Sequence, residues 1–267
     1  MPTSDLISSR NLGTRIKRRL NALIAPAPPE LKPDYTAAEY QHFMKQELLR
    51  ATPAYARGRM VVRGYAQNLL PALEQSSVVL GFLHHGSWIL IGGAMRYLFD
   101  VPYTVIASRR NLPLMGTDEA EYWQHIHKIM ADYYGTEIFY TDQTPRKILN
   151  WLKRTGSVLG VALDVREHEQ YPTEHEILFN GGTLWVQTGP AKLARVSRSV
   201  IVPCSICYVA EHRVHELTFH APVEPLQHQS DAQVTQHVFS ALEHAYIDYP
   251  RQEFHDLMGV FSHPYVG

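Results

Sequence analysis

Short apolar runs alternate with helical segments along most of this chain, and this alternation constrains the fold more than any other feature. Apolar runs typical of strands lie at 77–83, 102–107, 136–140 and 157–163, and segments with helical spacing lie between them at 88–99, 117–134 and 144–154. Strands separated by helices of this length form βαβ crossovers, which build a mostly parallel sheet. The pattern predicts an α/β fold with a mostly parallel central sheet flanked by helices.

The rest of the chain adds elements at both ends of this region. Helices are predicted at 35–51 and 58–74 as amino-terminal additions and at 189–196 and 232–246, and strands at 174–180, 199–209 and 213–221. With 267 residues, of which 45% are hydrophobic, the chain can fill one large core. We expect a single α/β domain over 34–267, preceded by an amino-terminal segment, 1–33, that ends in the proline-rich linker 25–33.

The amino-terminal segment is basic, although the whole chain has a net charge of −1, which argues against nucleic-acid binding. Residues 1–25 hold five basic residues and one acidic residue and therefore carry +4. Four apolar residues in this segment share one face of a helix: Leu12, Ile16, Leu20 and Leu23. Residues 8–24 are therefore predicted either to contact a membrane surface peripherally or to dock on the domain.

The remaining features of the composition favour a cytoplasmic protein, either free or at the inner face of the membrane. No run approaches the ~20 apolar residues of a membrane span, and the amino terminus lacks the apolar core of a secretory signal. Cys204 and Cys207 lie in an apolar run and are typical of buried thiols in a reduced compartment. No histidine falls in a recognised metal-binding spacing, so no metal site is predicted.

The pair His84 and His85 is the strongest candidate for a reactive group. It follows the apolar run 77–83 and precedes the helical segment 88–99, which places it at the carboxyl end of a strand, where open α/β sheets bind their ligands. The dipole at a helix amino terminus lowers the pKa of an imidazole, which suits a neutral general base. Alternatively, one histidine caps the helix or bonds backbone in the core.

Five ordered blocks resemble the late lipid A acyltransferases of the lysophospholipid acyltransferase superfamily. The first is His84-x-Gly86-x-Trp88, and the second is the strand Val158 to Asp164. The others are Phe179 to Gly182, similar to a Phe-Phe-Gly turn; Thr188 to Ala194, followed by Ile201-Val202-Pro203; and Tyr249 to Phe254, similar to a closing Pro-Glu-Gln-Trp segment. The resemblance covers about residues 40 to 262 and implies a glycerolipid acyltransferase-like fold.

The resemblance also implies a reaction. In these enzymes the histidine deprotonates an acceptor that attacks an acyl thioester, and a carboxylate orients the imidazole. It implies no cofactor, since the acyl carrier protein or CoA thioester is the donor substrate. His84 is then the expected base.

One position departs from the family pattern, His-x4-Glu or His-x4-Asp. Counting from His84 gives Ile89, and counting from His85 gives Leu90, so neither supplies the acid. Three alternatives follow: another acid substitutes, the acceptor is a stronger nucleophile such as an amine, or the chain binds an acyl group without transferring it. Asp164 is the expected substitute, with Glu167 next, and His85 is a further candidate for supporting His84. Asp164 could instead cap the following turn or pair with Arg166.

Other residues are candidates for binding substrate. Arg109 and Arg110 follow the strand 102–107 and could hold a donor phosphate, or be solvated charges only. Gly181 and Gly182 suit a turn near an oxyanion, and a hairpin turn explains them nearly as well. Thr188 suits a helix cap or phosphate binding at a helix start. Ser87 lies close to His84, but the Gly-x-Ser-x-Gly pattern of a nucleophilic serine is absent.

These observations predict an acyltransferase that moves an acyl group from a thioester donor to a hydroxyl or amine acceptor, which is a small molecule or a lipid. Family enzymes acting on lipid A usually carry a membrane anchor and the motif acid, so an unusual lipid or a specialised metabolite is the expected acceptor. Two alternatives remain: a non-catalytic module that binds acyl groups or docks a carrier, and a thioester hydrolase.

Overall fold

A computed structural model describes residues 31–49, 52–108, 117–141, 145–165 and 174–263. The strands are β1 (Met60–Arg63), β2 (Val78–Phe82), β3 (Tyr103–Ala107), β4 (Phe139–Tyr140), β5 (Val158–Ala162), β6 (Glu174–Phe179), β7 (Gly182–Gln187), β8 (Val200–Val209) and β9 (Val214–Phe219). The α-helices are α1 (Ala37–Leu49), α2 (Pro53–Arg59), α3 (Leu70–Gln75), α4 (Leu90–Ala94), α5 (Thr117–Tyr134), α6 (Pro145–Leu152), α7 (Gly189–Ser197), α8 (Asp231–Asp248) and α9 (Leu257–Phe261). Short 3₁₀ turns lie at Pro225–Gln227 and Pro250–Gln252.

A seven-stranded sheet forms the centre of the described residues, in the order β1-β9-β8-β2-β5-β3-β4. Only the β8–β9 pair is antiparallel, and the other neighbouring pairs are parallel. Helices lie on both faces, with α4 and α5 packed in one core cluster and α7 and α8 in another. The predicted α/β fold with a mostly parallel sheet is confirmed.

The centre of the sheet sets the position of the candidate site. All five residues of β2 are buried, as expected for a strand covered by helices on both faces. β2 pairs with β5 in a register that places Phe82 beside Ala162, and both strands end there. The residues that follow β2 and β5 therefore leave the sheet side by side.

A separate two-stranded hairpin consists of β6 and β7, joined at Asn180 and Gly181. These two residues have φ angles of 50° and 70°, as the type I′ turn of a tight hairpin requires. The hairpin packs on α8, where Gln236 accepts from the Leu178 N–H and donates to the Leu178 carbonyl. The hairpin-turn interpretation is confirmed, and β7 is a strand that the sequence did not predict.

The predicted helix over 58–74 is wrong in its first part. Met60–Arg63 instead forms β1, which pairs with β9 at the edge of the sheet, as suits its two valines. Gly64 then has φ +72°, and a Cβ there would lie 2.0 Å from the Phe219 carbonyl oxygen. Helical structure resumes as a π turn at Tyr65–Leu69 and continues in α3. The helix predicted at 88–99 is also divided, into α4 and a π turn at Met95–Phe99.

The amino-terminal addition packs against the domain through an aromatic cluster. Leu31, within the predicted linker, is buried there with Tyr35, Tyr40, Phe43 and Tyr208. The amphipathic segment 8–24 lies outside the described residues. Cys204 and Cys207 are free and buried, as predicted. In the part of the chain that the structure describes, no helix is long and apolar enough to cross a membrane.

Candidate active site

His84 and Asp164 meet at the carboxyl edge of the sheet. His84 lies two residues after β2 and Asp164 two residues after β5, so the register of these neighbouring strands brings them together. The Nδ1 atom of His84 lies 2.9 Å from Oδ1 of Asp164, and the His84 backbone N–H donates to Oδ2 at 2.9 Å. Asp164 therefore places a carboxylate beside the His84 ring from the end of the adjacent strand.

Asp164 is suited to be an ionised partner. Burial raises its pKa, but the charge of His84, the hydrogen bonds from His84 and the charge of His255 outweigh burial and leave the pKa below its usual value. Its side chain is only 3% exposed, so this carboxylate interacts with few water molecules. The ring atom Nδ1 of His84 is at hydrogen-bond distance from Oδ1, but a hydrogen on Nδ1 does not point towards that oxygen. Such contacts often align only when substrate binds.

The imidazole of His84 is held in place but remains accessible. Its ring packs edge-on against Trp88, with 4.7 Å between ring centroids. The side chain is 19% exposed, and the buried part includes Nδ1. The accessible side of the ring is therefore away from Asp164, where Nε2 can meet an acceptor.

His255 is a third member of this cluster and was not predicted. Its Nε2 lies 3.4 Å from Oδ2 of Asp164, and its ring centroid lies 5.8 Å from that of His84. Burial lowers the pKa of His255, which favours the neutral ring. One potential metal-binding group is found among the described residues: ligand atoms of His84, Asp164 and His255 lie within 4.8 Å of one another.

The carboxyl-terminal segment brings His255 to the site. The His84 carbonyl accepts from the Phe254 N–H at 2.9 Å, and the Gly86 N–H donates to the Gln252 carbonyl at 2.8 Å. An isolated bridge joins His85 and Glu253. Residues 84–86 therefore pair with residues 252–254 through backbone hydrogen bonds. In the sequence these two segments are separate motifs.

His85 does not support His84, contrary to one prediction. Its Nε2–H donates to the Tyr249 carbonyl at 2.9 Å, its Nδ1 lies 4.0 Å from Cys207 Sγ, and its ring centroid lies 5.6 Å from that of Tyr246. Burial lowers the pKa of His85 to about 4, so the ring is neutral at physiological pH. Successive residues of a strand point to opposite faces, which explains why neighbouring histidines have different surroundings.

Gly86 is required by the path of the backbone. It has φ +66°, and a Cβ there would lie 1.6 Å from the Ile206 carbonyl oxygen. Residues 84–88, which we call the motif loop, therefore lie directly on β8, at a distance that only glycine permits. This explains the glycine of the His-x-Gly block in physical terms.

Ser87 is enclosed, which corrects its prediction as a substrate-binding residue. Its side chain is buried, and its Oγ donates to Glu47 Oε2 at 3.2 Å and lies 3.2 Å from the Tyr40 hydroxyl. Glu47 also pairs with the fully buried His215 at 3.0 Å and accepts a short hydrogen bond from Tyr55. This buried network, which the sequence did not reveal, attaches α1 to the motif loop.

The other candidates lie elsewhere. Arg109, Arg110, Arg166 and Glu167 fall outside the described residues. Thr188 occupies the cap position of α7, but its side chain makes no capping hydrogen bond, contrary to expectation. Next to Gly181 and Gly182, the Asn180 N–H donates to Glu243 Oε1 on α8. The oxyanion role of this turn stays a prediction.

Comparison with known proteins shows the family to which the chain belongs. Residues 73–252, about two thirds of the sequence, match the model of the bacterial lipid A biosynthesis acyltransferase family. The protein belongs to this family. It is therefore an acyltransferase of lipid biosynthesis that uses an acyl donor. His84 and Asp164 lie inside the matched segment of this acyltransferase, and His255 lies just beyond it.

Among solved structures, the acyltransferase is similar to the crystal structure of the 1-acyl-sn-glycerophosphate (LPA) acyltransferase PlsC from Thermotoga maritima. The identity is 15% and the TM-score 0.44, over 80% of this chain and 79% of that chain. No curated protein matches the sequence.

Proposed function

We propose that this acyltransferase moves an acyl group from a thioester donor to a hydroxyl or amine acceptor, with His84 as general base and Asp164 as the residue that positions it. The observation that carries the proposal is the 2.9 Å contact between His84 Nδ1 and a buried carboxylate. In this proposal Asp164 takes the role of the acid that the family motif carries where this chain has Ile89. The donor is an acyl carrier protein or CoA thioester.

The proposed step uses the two nitrogens of His84 differently. With the ring proton on Nδ1, facing Asp164, Nε2 carries the lone pair and takes the proton from the acceptor hydroxyl or amine. The acceptor atom forms a bond to the thioester carbonyl carbon, and the carbon–sulfur bond breaks. Nε2 returns the proton to the leaving thiolate, and the ionised Asp164 stabilises the imidazolium that exists between the two transfers.

For the acceptor, we propose an unusual lipid or a specialised metabolite. What supports this proposal is position 89, where the resembling enzymes carry an acid and this chain buries an isoleucine that is 2% exposed. Here the carboxylate reaches His84 from the end of β5 instead of from position 89, at the start of α4. The Asp164 pairing also means that the absence of an acid at 89 no longer requires an especially nucleophilic acceptor.

The test is a transfer assay with purified protein. Long-chain acyl-CoA and acyl carrier protein thioesters are supplied with a lipid A precursor, a lysophospholipid or a long-chain amine, and free thiol and acylated product are measured. We expect product formation that His84→Ala abolishes. His42→Gln, at an exposed histidine of α1, serves as the matched control and should retain activity.

Each other outcome has a definite meaning. Transfer that survives His84→Ala would refute the assigned base. Thiol release without any acylated acceptor would indicate a hydrolase, and thioester binding without turnover would indicate an acyl-binding module. Acylation of the lipid A precursor at ordinary rates would overturn the proposed acceptor class but not the mechanism.

A further inference from the structure

Three buried polar atoms converge at the sheet edge. Nδ1 of His84, Oδ1 of Asp164 and Nε2 of His255 make no aligned hydrogen bond, and the close contacts of these side chains are with one another. Buried polar groups normally have aligned hydrogen-bond partners, whereas here two imidazole rings and a carboxylate face one another. Their common property is that each can donate an electron pair to a cation.

The three side chains can share a small metal ion after small movements, since their ligand atoms lie within 4.8 Å of one another. The contact distances are 2.9 Å between His84 Nδ1 and Asp164 Oδ1 and 3.4 Å between His255 Nε2 and Asp164 Oδ2. Ligands at the corners of a tetrahedral zinc site lie about 3.3 Å apart when the metal–ligand bonds are ~2.0–2.1 Å. Two imidazoles and a carboxylate also form a common ligand set for a zinc ion that keeps one open position.

The site is also supported and accessible. The His84 backbone N–H donates to Asp164 Oδ2 and so fixes the orientation of the carboxylate. Side chains that bind metals are commonly oriented by such hydrogen bonds. The side chains of His84 and His255 are 19% and 28% exposed, so an ion can enter from solvent.

We propose that His84, Asp164 and His255 form a binding site for Zn²⁺ or a similar divalent transition metal, and that the bound metal inhibits the enzyme. The inhibition rests on the proposed function of His84, whereas the metal site does not. For Nδ1 to bind the metal, the ring proton must move from Nδ1 to Nε2. Nε2 then has no lone pair and cannot accept a proton from the acceptor.

Spacing along the sequence could not show this site. Its ligands follow β2, follow β5 and precede α9, so no two of them lie within a short motif. His255 reaches the cluster only through the pairing of the carboxyl-terminal segment with the motif loop.

The experiment measures binding and inhibition separately. Metal-free protein is titrated with Zn²⁺ against a chromophoric chelator, without acyl substrates, and we expect one site that His255→Gln weakens by at least about tenfold, since losing a ligand costs no less than losing an outer-shell partner. His42→Gln, which alters an exposed histidine, should leave binding unchanged. His255→Cys, which supplies a thiolate ligand, should retain the site. Circular dichroism confirms that each variant is folded.

Inhibition is then measured as the fraction of each variant's own transfer rate that remains at a given Zn²⁺ concentration. We expect Zn²⁺ to inhibit the wild-type protein and His42→Gln, and to inhibit His255→Gln only at higher concentration. Zn²⁺ affinity that does not change in folded His255→Gln would overturn the site. Metal binding that depends on His255 but leaves transfer unaffected would overturn the inhibition, whereas the role of His84 as base is tested separately by His84→Ala.

Discussion

In the proposed mechanism, Asp164 takes the role of the motif acid that position 89 lacks. The sequence indicated it because it ends a predicted strand, and parallel strands bring their carboxyl ends to the same edge of a sheet. The structure places it 2.9 Å from the His84 ring. A positioning carboxylate can therefore come from an adjacent strand as well as from the motif itself.

Replacing Asp164 tests that role. We expect Asp164→Asn to lower kcat/KM by about 10³–10⁴-fold, because an amide cannot stabilise the imidazolium and can favour the wrong tautomer of His84. Steady-state transfer assays measure the loss. Asp248→Asn, at an exposed aspartate of α8, is the matched control and should lose little activity. A loss below about tenfold in Asp164→Asn would show that Asp164 does not position the base.

His85 predicts a dependence of stability on pH. Its pKa is lowered from 6.5 to about 4 in the folded protein, so between these values the unfolded state binds more protons. The free energy of unfolding should therefore fall as the pH drops below 6.5, by about 2 kcal/mol between pH 8 and pH 5 from this group. Urea unfolding at both pH values measures the change. His85→Gln should reduce it, and an equal change in that variant would assign the effect to other groups.

The close approach of Gly86 to β8 predicts that a side chain added at this position destabilises the protein. Gly86→Ala places a Cβ against the Ile206 carbonyl at positive φ, so we expect the free energy of unfolding to fall by more than ~2 kcal/mol and activity to be lost. Thermal denaturation measures the stability. Gly189→Ala is the control, because a Cβ there meets nothing within 4 Å. Equal stabilities of the two variants would contradict the close approach of the motif loop to β8.

At the scale of elements, α1 is attached to the core by a buried charge network. Glu47 contacts His215 on β9, Ser87 in the motif loop and Tyr55 on α2. A carboxylate at one position on a helix cannot reveal such partners in the sequence, because they lie far away along the chain. The network ties the amino-terminal addition to the active-site loop.

Removing Glu47 should therefore destabilise more than one element. We expect Glu47→Gln to lower the free energy of unfolding by about 3–5 kcal/mol, because it leaves the buried His215 without its charged partner. Chemical denaturation measures the difference. The exposed Glu74 of α3 provides the control, and Glu74→Gln should change stability by no more than about 0.5 kcal/mol. A similarly small effect of Glu47→Gln would contradict the role of the network.

Comparison of the elements also shows which helices and strands can be predicted from sequence patterns alone. Most strands and helices of the βαβ region agree with the predictions, because each carries a full apolar face, and α5 has the predicted bounds. β1 was predicted as helix because four residues are too few for alternation to be recognised, and its pairing with β9 is set by contacts distant in sequence. β7 has no clear strand pattern, because glycine, threonine and glutamine leave only the short apolar run Leu184 to Val186.

At the scale of the whole molecule, the active site depends on the sheet. His84 and Asp164 are 80 residues apart and meet only because β2 and β5 are paired in one register. The sequence predicted this meeting through the order of the strands. It did not predict His255, because the loop that carries His255 is placed by backbone hydrogen bonds to the motif loop and has no periodic pattern of its own.

Two residues that act as one unit should have non-additive effects. We expect the double variant His84→Ala, Asp164→Asn to have nearly the same residual transfer rate as His84→Ala alone, since Asp164 acts only through the His84 ring. Single-turnover kinetics on the four proteins of this cycle provide the measurement. Losses that multiply would show that Asp164 contributes to catalysis independently of His84.

The backbone pairing of residues 252–254 with residues 84–86 has a consequence for how the enzyme is made. A ribosome synthesises residues 84–86 well before residues 252–254, so the histidine loop of a nascent chain lacks its backbone partner until the later segment has emerged. A polypeptide that stops before residue 252 therefore cannot complete the surroundings of His84.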